Sequence, residues 1–216
     1  ALNASPTGTK AAALYSFELG PGESRVAELR LSPSARPAGS FDSIFETRIR
    51  EADAFYAEIT PDSLGEDQAR VLRQAFAGML WSKQYYFFDV ELWLKEHGAH
   101  PHDSGRPISV RNARWFHMVN DDVLSMPDKW EYPWYAAWDL AFHTVGLAVV
   151  DVDFAKQQLE LMLQELYLHP NGQIPAYEWN FGDVNPPVHA WATHYIYMVE
   201  KQMRGKGDLS FLRESF

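Results

Sequence analysis

The sequence predicts a mainly α-helical protein that opens with a short β-hairpin. Beyond residue 41, apolar residues recur at three- and four-residue spacing, the mark of helices that bury one face. Strict alternation is confined to residues 14–31, and turn chemistry falls between the periodic stretches.

Taken in order, Tyr15, Phe17 and Leu19 alternate with polar neighbours, Gly20-Pro21-Gly22 turns the chain, and residues 26–31 alternate again. An isolated hairpin is marginal in water, so residues 1–31 read as the end of a preceding β-sandwich-like domain. Residues 32–40, with Pro33, Pro37 and Gly39, read as a linker. Ile44, Phe45, Arg48, Ile49, Ala52, Phe55 and Tyr56 then predict a helix over 41–59. Leu72, Phe76, Met79, Leu80, Tyr86, Phe87, Val90 and Leu94 predict a longer one over 64–96, ended by Gly98. Residues 97–126 read as irregular. Further helices are expected over 133–150, 154–168 and 187–204, with turns at Asn171-Gly172 and Asn185-Pro186-Pro187, and Asp208 is placed to cap one more. Residues 41–216 read as the N-terminal part of one helical domain.

With 19 basic and 29 acidic residues the formal net charge is −10, which argues against nucleic acid or an anionic membrane as partner. Cysteine is absent, so neither a disulfide framework nor a thiolate nucleophile is available. No apolar run approaches the roughly 18 residues of a membrane span, and the first residues lack the pattern of a signal peptide, so a cytoplasmic location is expected. His97, His100, His102 and Asp103 cluster in a loop whose spacing fits no metal motif, and no metal or cofactor is expected.

The most informative stretch is Lys-Trp-Glu-Tyr-Pro-Trp-Tyr-Ala-Ala-Trp-Asp-Leu-Ala-Phe-His, residues 129–143, which sets one carboxylate, Asp139, among three tryptophans and two tyrosines. A carboxyl group beside apolar rings keeps its proton to higher pH and can deliver it to a leaving oxygen. Pro133 fits the first turn of a helix. From there Trp134, Trp138 and Phe142 would share one stripe, and Tyr135, Asp139 and His143 the next. The same pattern also suits an Asp that only accepts hydrogen bonds or pairs with His143.

Two segments together narrow this. The run around residues 125–143 and the run Gly-Gln-Ile-Pro-Ala-Tyr-Glu-Trp-Asn-Phe-Gly-Asp-Val-Asn-Pro-Pro-Val-His-Ala-Trp-Ala, residues 172–192, resemble glycoside hydrolase family 63, in its bacterial glucosidase and mannosylglycerate-hydrolase-like branch. The resemblance is strong over roughly the second half of the chain and weaker over the first. It implies part of an (α/α)6 toroid, about five to six of its twelve helices, and hydrolysis of α-linked glucose or mannose with inversion. It makes Asp139 the general acid. It also implies that Trp134, Tyr135, Trp138, Gln173, Tyr177, Glu178, Trp179 and Asn185 contact the sugar of an oligosaccharide or glycoside substrate.

The family's general base, a distant Glu, has no counterpart before Phe216, so the chain is expected to be a catalytically incomplete piece. Were it active by itself, Glu178 or Asp183 would be the nearest base, at roughly 6.5–9.5 Å from the acid. A non-catalytic carbohydrate-binding helical module is the alternative. Self-association through faces left open by missing helices is a further expectation. Arg111 and Arg114 are weaker candidates to fix a hydroxyl or an acidic substituent.

Overall fold

The computed structural model describes residue 7 and residues 12–33, 39–102 and 110–216, in two compact units, Ala1–Phe55 and Tyr56–Phe216. In the first unit the expected turn forms, with the Glu23 amide donating to the Gly20 carbonyl at 3.1 Å and Gly22 at φ +77°. The strands of the expected hairpin do not form. Every described residue from 14 to 31 is exposed, so the alternating Tyr15, Phe17 and Leu19 bury no apolar face that would stabilise pairing among the described residues. Part of the expected linker, residues 34–38, lies outside the described residues. Helix α1 (Phe41–Ile59) coincides with its predicted span, and none of its residues is buried.

The second unit contains α2 (Glu66–Trp81), β1 (Lys83–Asp89), α3 (Val90–Glu96), a 3-10 turn (Ala113–Trp115), β2 (Val119–Ser125), α4 (Ala137–Val150), α5 (Val152–Leu161), α6 (Val188–Arg204) and α7 (Leu209–Ser215). The single long helix expected over 64–96 is therefore three elements. Ser82 ends α2 by returning its amide to Gly78 and Met79, and residues 83–89 pair antiparallel with β2, Tyr86 opposite Asp122 and Asp89 opposite Val119. The aromatic run Tyr85-Tyr86-Phe87-Phe88 prefers this pleated surface. Tyr86 is buried while Tyr85 and Phe87 face out, a two-residue period that overlaps the three- and four-residue one in so short a stretch. Asp89 then caps α3 by accepting from the Leu92 amide at 2.9 Å.

Helix α4 is the axis of the core. Ala137, Leu140, Ala141, Thr144, Leu147 and Ala148 are buried along it, against α2, β2, α5 and α6. It starts at Ala137, four residues later than Pro133 predicts, because the backbone before it is engaged elsewhere: Ala136 bridges to Tyr177, and the Ala137 amide donates to the Ala176 carbonyl at 2.9 Å. Helix α5 ends at Leu161 rather than 168. Its last turn tightens through amides of Leu163 and Gln164 returning to Glu160 and Leu161, and the chain turns so that Tyr167 reaches Asp122 at 3.0 Å.

An ionic junction ties α5, α6 and α7. Lys156 donates to Glu200 and to Asp208, each at 3.0 Å, and the other Glu200 oxygen accepts the Asp208 amide at 3.0 Å. Asp208 also caps α7, as the sequence predicts, through the amides of Ser210 and Phe211. Arg204 adds a bond to Glu200 and a forked pair to Asp153 at 2.7 and 2.8 Å. Burial alone would lower the Lys156 pKa, and its bonds to Glu200 and Asp208 reverse that and raise it. Among the described residues no helix is long and apolar enough to cross a membrane.

Removing one partner of this buried junction leaves the others uncompensated, so Glu200→Gln should destabilise the chain by about 3 kcal/mol in urea unfolding. The Glu200→Gln, Lys156→Met double variant should lose less than the sum of the two single losses, because the second change removes the orphaned charge.

Candidate functional site

The pairing of residues 135–137 with 176–178 brings the start of α4 against the 169–187 loop. Beyond the Ala136 to Tyr177 bridge, the Glu178 amide donates to the Tyr135 carbonyl at 3.3 Å. The loop itself turns where predicted, at Gly172 with φ +87°, whose amide returns to His169. Gln173 donates its amide nitrogen to the carbonyls of Gly182 and Asp183 at 3.2 and 3.4 Å, and Asn185 donates to those of Ile174 and Pro175. Both side chains thus close the loop on itself and leave their oxygens as acceptors; the Asn185 oxygen is buried without a partner among the described residues.

Asp139 is the third residue of α4 and half-buried. Burial pushes its carboxyl above the ordinary aspartate value of 3.8, against the opposing pull of His143 one turn on and of its own amide. His143 is itself pushed below the usual histidine range by burial, while its bond to Ser125 and the charge of Asp139 pull it back. Its Nδ1 lies 3.2 Å from Ser125 Oγ and 3.3 Å from the Ser125 carbonyl. A carbonyl only accepts, so in the neutral ring a bond to the Ser125 carbonyl requires the proton on Nδ1.

Two cavities flank the loop. One of about 630 Å³ is lined by Trp138, Gln173 and Asn185 together with Ile174, His189 and Pro187; Asp139 is not in its wall, although its neighbours Ala137 and Trp138 are. The other, of about 390 Å³, is lined by Arg111, Asn112, Arg114, Trp115, Trp179 and Asn180. Gly182 borders both. Of the aromatic candidates, Trp179 is 52 % exposed and meets the edge of Trp134 at 6.1 Å. Tyr135 is buried against Tyr167, ring centroids 5.5 Å apart, with its hydroxyl unpartnered. It backs the site rather than facing it. Trp134 and Tyr135 precede α4, so they do not share the helical stripes that a start at Pro133 implies.

Glu178 is the most elaborately held of the candidates. One oxygen accepts the Tyr86 hydroxyl at 2.9 Å and the other faces Arg111 Nη2 at 3.5 Å. Asn112, in the left-handed region at φ 61°, donates its side-chain amide to the Glu178 carbonyl and accepts the Phe181 amide at 2.9 Å. Tyr86 and Asn112 have no assigned role on sequence grounds. The alternating burial of the Tyr-Tyr-Phe-Phe run could have signalled Tyr86, and an asparagine beside an irregular Arg-rich stretch is the residue type most at ease with positive φ. Among the described residues no group of three or more His, Asp or Glu is placed to hold a metal ion; Asp103 lies outside them.

Comparison with known proteins now bears on this arrangement. The family model of the mannosylglycerate hydrolase MGH1-like glycoside hydrolase domain matches residues 132–216, which include Asp139, the 169–187 loop and α6. The chain is also 43% identical over 230 aligned positions to the uncharacterized protein YMR196W of Saccharomyces cerevisiae; that alignment covers all of this chain but 21% of the yeast protein. That relative is from yeast, so the bacterial branch expected from the sequence finds no support. No solved structure matches the chain. The MGH1-like match points to a glycoside-hydrolase-related function.

The pin formed by Asn112 should be measurable. Asn112→Ala removes two hydrogen bonds to the loop and should cost about 2 kcal/mol in denaturant unfolding, with faster hydrogen exchange at the Phe181 amide. A pH effect follows from His143 and His189, both lowered chiefly by burial. Each binds a proton more readily when unfolded, so their contribution is intact above about pH 6.5 and is lost as pH falls from there through the folded values. Urea midpoints should hold steady from pH 8 to 7 and fall between pH 6.5 and 5, and His189→Gln should flatten part of that fall.

Proposed function

We propose that this chain supplies the acid side of a glycoside hydrolase site, with Asp139 as the general acid that protonates the glycosidic oxygen of an α-glucoside or α-mannoside. The observation that carries the proposal is a half-buried carboxyl raised above its ordinary value by burial, in the first turn of α4, inside the segment that matches the MGH1-like domain. Trp134, Trp138 and Trp179 offer ring faces to the sugar, with Tyr177 on the paired loop and Tyr135 behind them. Gln173, Glu178 and Asn185 offer acceptor oxygens to its hydroxyls. Four of the buried polar atoms without partners, on Arg111, Trp134, Tyr135 and Asn185, belong to this region, and a ligand is one way such atoms find partners.

The reaction inverts the anomeric centre, and the general base is contributed by polypeptide outside this chain. On this proposal the chain alone binds sugars and turns none over. The residues of the site make a basis for the coarser alternative too: a carbohydrate-binding module uses the same aromatic faces without any proton transfer.

Joined to polypeptide that supplies the base, the chain should hydrolyse members of a panel of α-glucosides, α-mannosides and mannosylglycerate, with the inverted anomer appearing first by NMR. Asp139→Asn should lower turnover by about 10³-fold and leave sugar affinity within about twofold. Undiminished turnover in Asp139→Asn would remove its assigned role, and hydrolysis by the chain alone would place the base within it.

A further inference from the structure

Six planar groups form a continuous ribbon beside the Glu178 loop. His97 stacks on Trp93 at 4.0 Å, the Arg111 guanidinium lies 4.9 Å from the Trp93 ring and 4.1 Å from that of Trp179, and Trp179 meets Trp134, which meets Tyr132 at 4.8 Å. Arg111 is the centre of this ribbon, its guanidinium carbon lying over two indole rings. Trp93 packs against the core, so one side of the clamp is fixed, whereas Trp179 is half exposed and takes its orientation from what lies against it.

We propose that Arg111 is the positioning residue of this site: clamped between Trp93 and Trp179, its guanidinium fixes the plane of the Trp179 ring and the direction of the Glu178 carboxylate. This rests on the sugar-binding reading of the site given above. The ion pair with Glu178 does not by itself explain the placement, since 3.5 Å is loose for a charge-assisted bond, whereas two indole rings within 5 Å of the guanidinium carbon confine the cation between them. Nor are its donors spent on structure, for Nη1 is buried with no acceptor among the described residues. Glu178 is then gripped from two directions, Tyr86 at one oxygen and Arg111 at the other, which defines the plane of its carboxylate. Asn112, next in sequence, pins the same loop through its backbone, so one short segment sets both side chains that a sugar would meet.

The test uses the full chain and two readouts: the Trp179 indole resonance in a ¹H–¹⁵N spectrum, and the affinity for methyl α-D-glucopyranoside and methyl α-D-mannopyranoside by calorimetry. Arg111→Lys keeps the charge and loses the planar fork, so the Trp179 resonance should move and affinity should fall by about fivefold. Trp93→Leu should act in the same direction although Trp93 lines neither cavity, because it releases Arg111. In the Arg111→Lys, Glu178→Gln double variant the loss should be smaller than the product of the two single losses. An unmoved Trp179 resonance, full affinity in either single variant, or multiplicative losses would each overturn the proposal. If the wild-type chain binds neither sugar, the sugar reading fails, and the indole resonance still decides whether the clamp exists. Should Arg111→Lys fail to fold, Trp93→Leu decides.

Discussion

Everything at the candidate site depends on one short antiparallel contact, residues 135–137 against 176–178. It takes the Ala137 amide and the Tyr135 carbonyl, which would otherwise extend α4 toward Pro133, and pairs them with the loop. That single exchange delays the helix to Ala137, places Asp139 in its first turn, and fastens Glu178 and Trp179 alongside. Without it Trp134 would continue a helical stripe and the loop would have no fixed partner. The contact is cheap in backbone terms, a bridge and two flanking bonds, because the buried axis of α4 and the tie of Gln173 and Asn185 to their own loop hold the two sides in place.

Ionisable groups meet two contrasting settings in the second unit. At the α5–α6–α7 junction the half-buried Lys156 is matched by the carboxylates of Glu200 and Asp208, which raises the lysine pKa and lowers that of Asp208. At α4 the reverse holds. Among the described residues the charge that pulls Asp139 down is that of His143, which burial keeps toward its neutral form, so burial sets the balance and raises the Asp139 pKa. The first junction stabilises helices, and the second raises the pKa of a carboxyl whose neighbours Ala137 and Trp138 line a cavity.

Much of the helical framework was legible in the sequence, and the reason is length. Helix α1 matches its predicted span and α6 nearly so, because 17 to 19 residues give the three- and four-residue period several turns in which to show itself. Asp208 and Gly172 were legible because capping and positive φ each demand a narrow set of residues. The failures lie where pairing between distant segments decides. Residues 83–89 become a strand only because 119–125 lie opposite, whereas among the described residues no segment pairs with 14–31. Gln173, Glu178, Trp179 and Asn185 stood out through the Trp- and Pro-rich loop that carries them, whereas the roles of Tyr86, Trp93 and Asn112 exist only through contacts across 66 to 92 positions for two of them, which no local pattern encodes.

The central claim is that Asp139 holds its proton beyond the range of an ordinary aspartate. The direct measurement is the titration of its carboxyl carbon by ¹³C NMR in the folded chain, with Asp139→Asn to assign the signal. A midpoint above the ordinary 3.8 is the predicted result. A midpoint at or below that value would contradict the account, since the carboxyl would then be a solvated or hydrogen-bonded carboxylate with no proton to give.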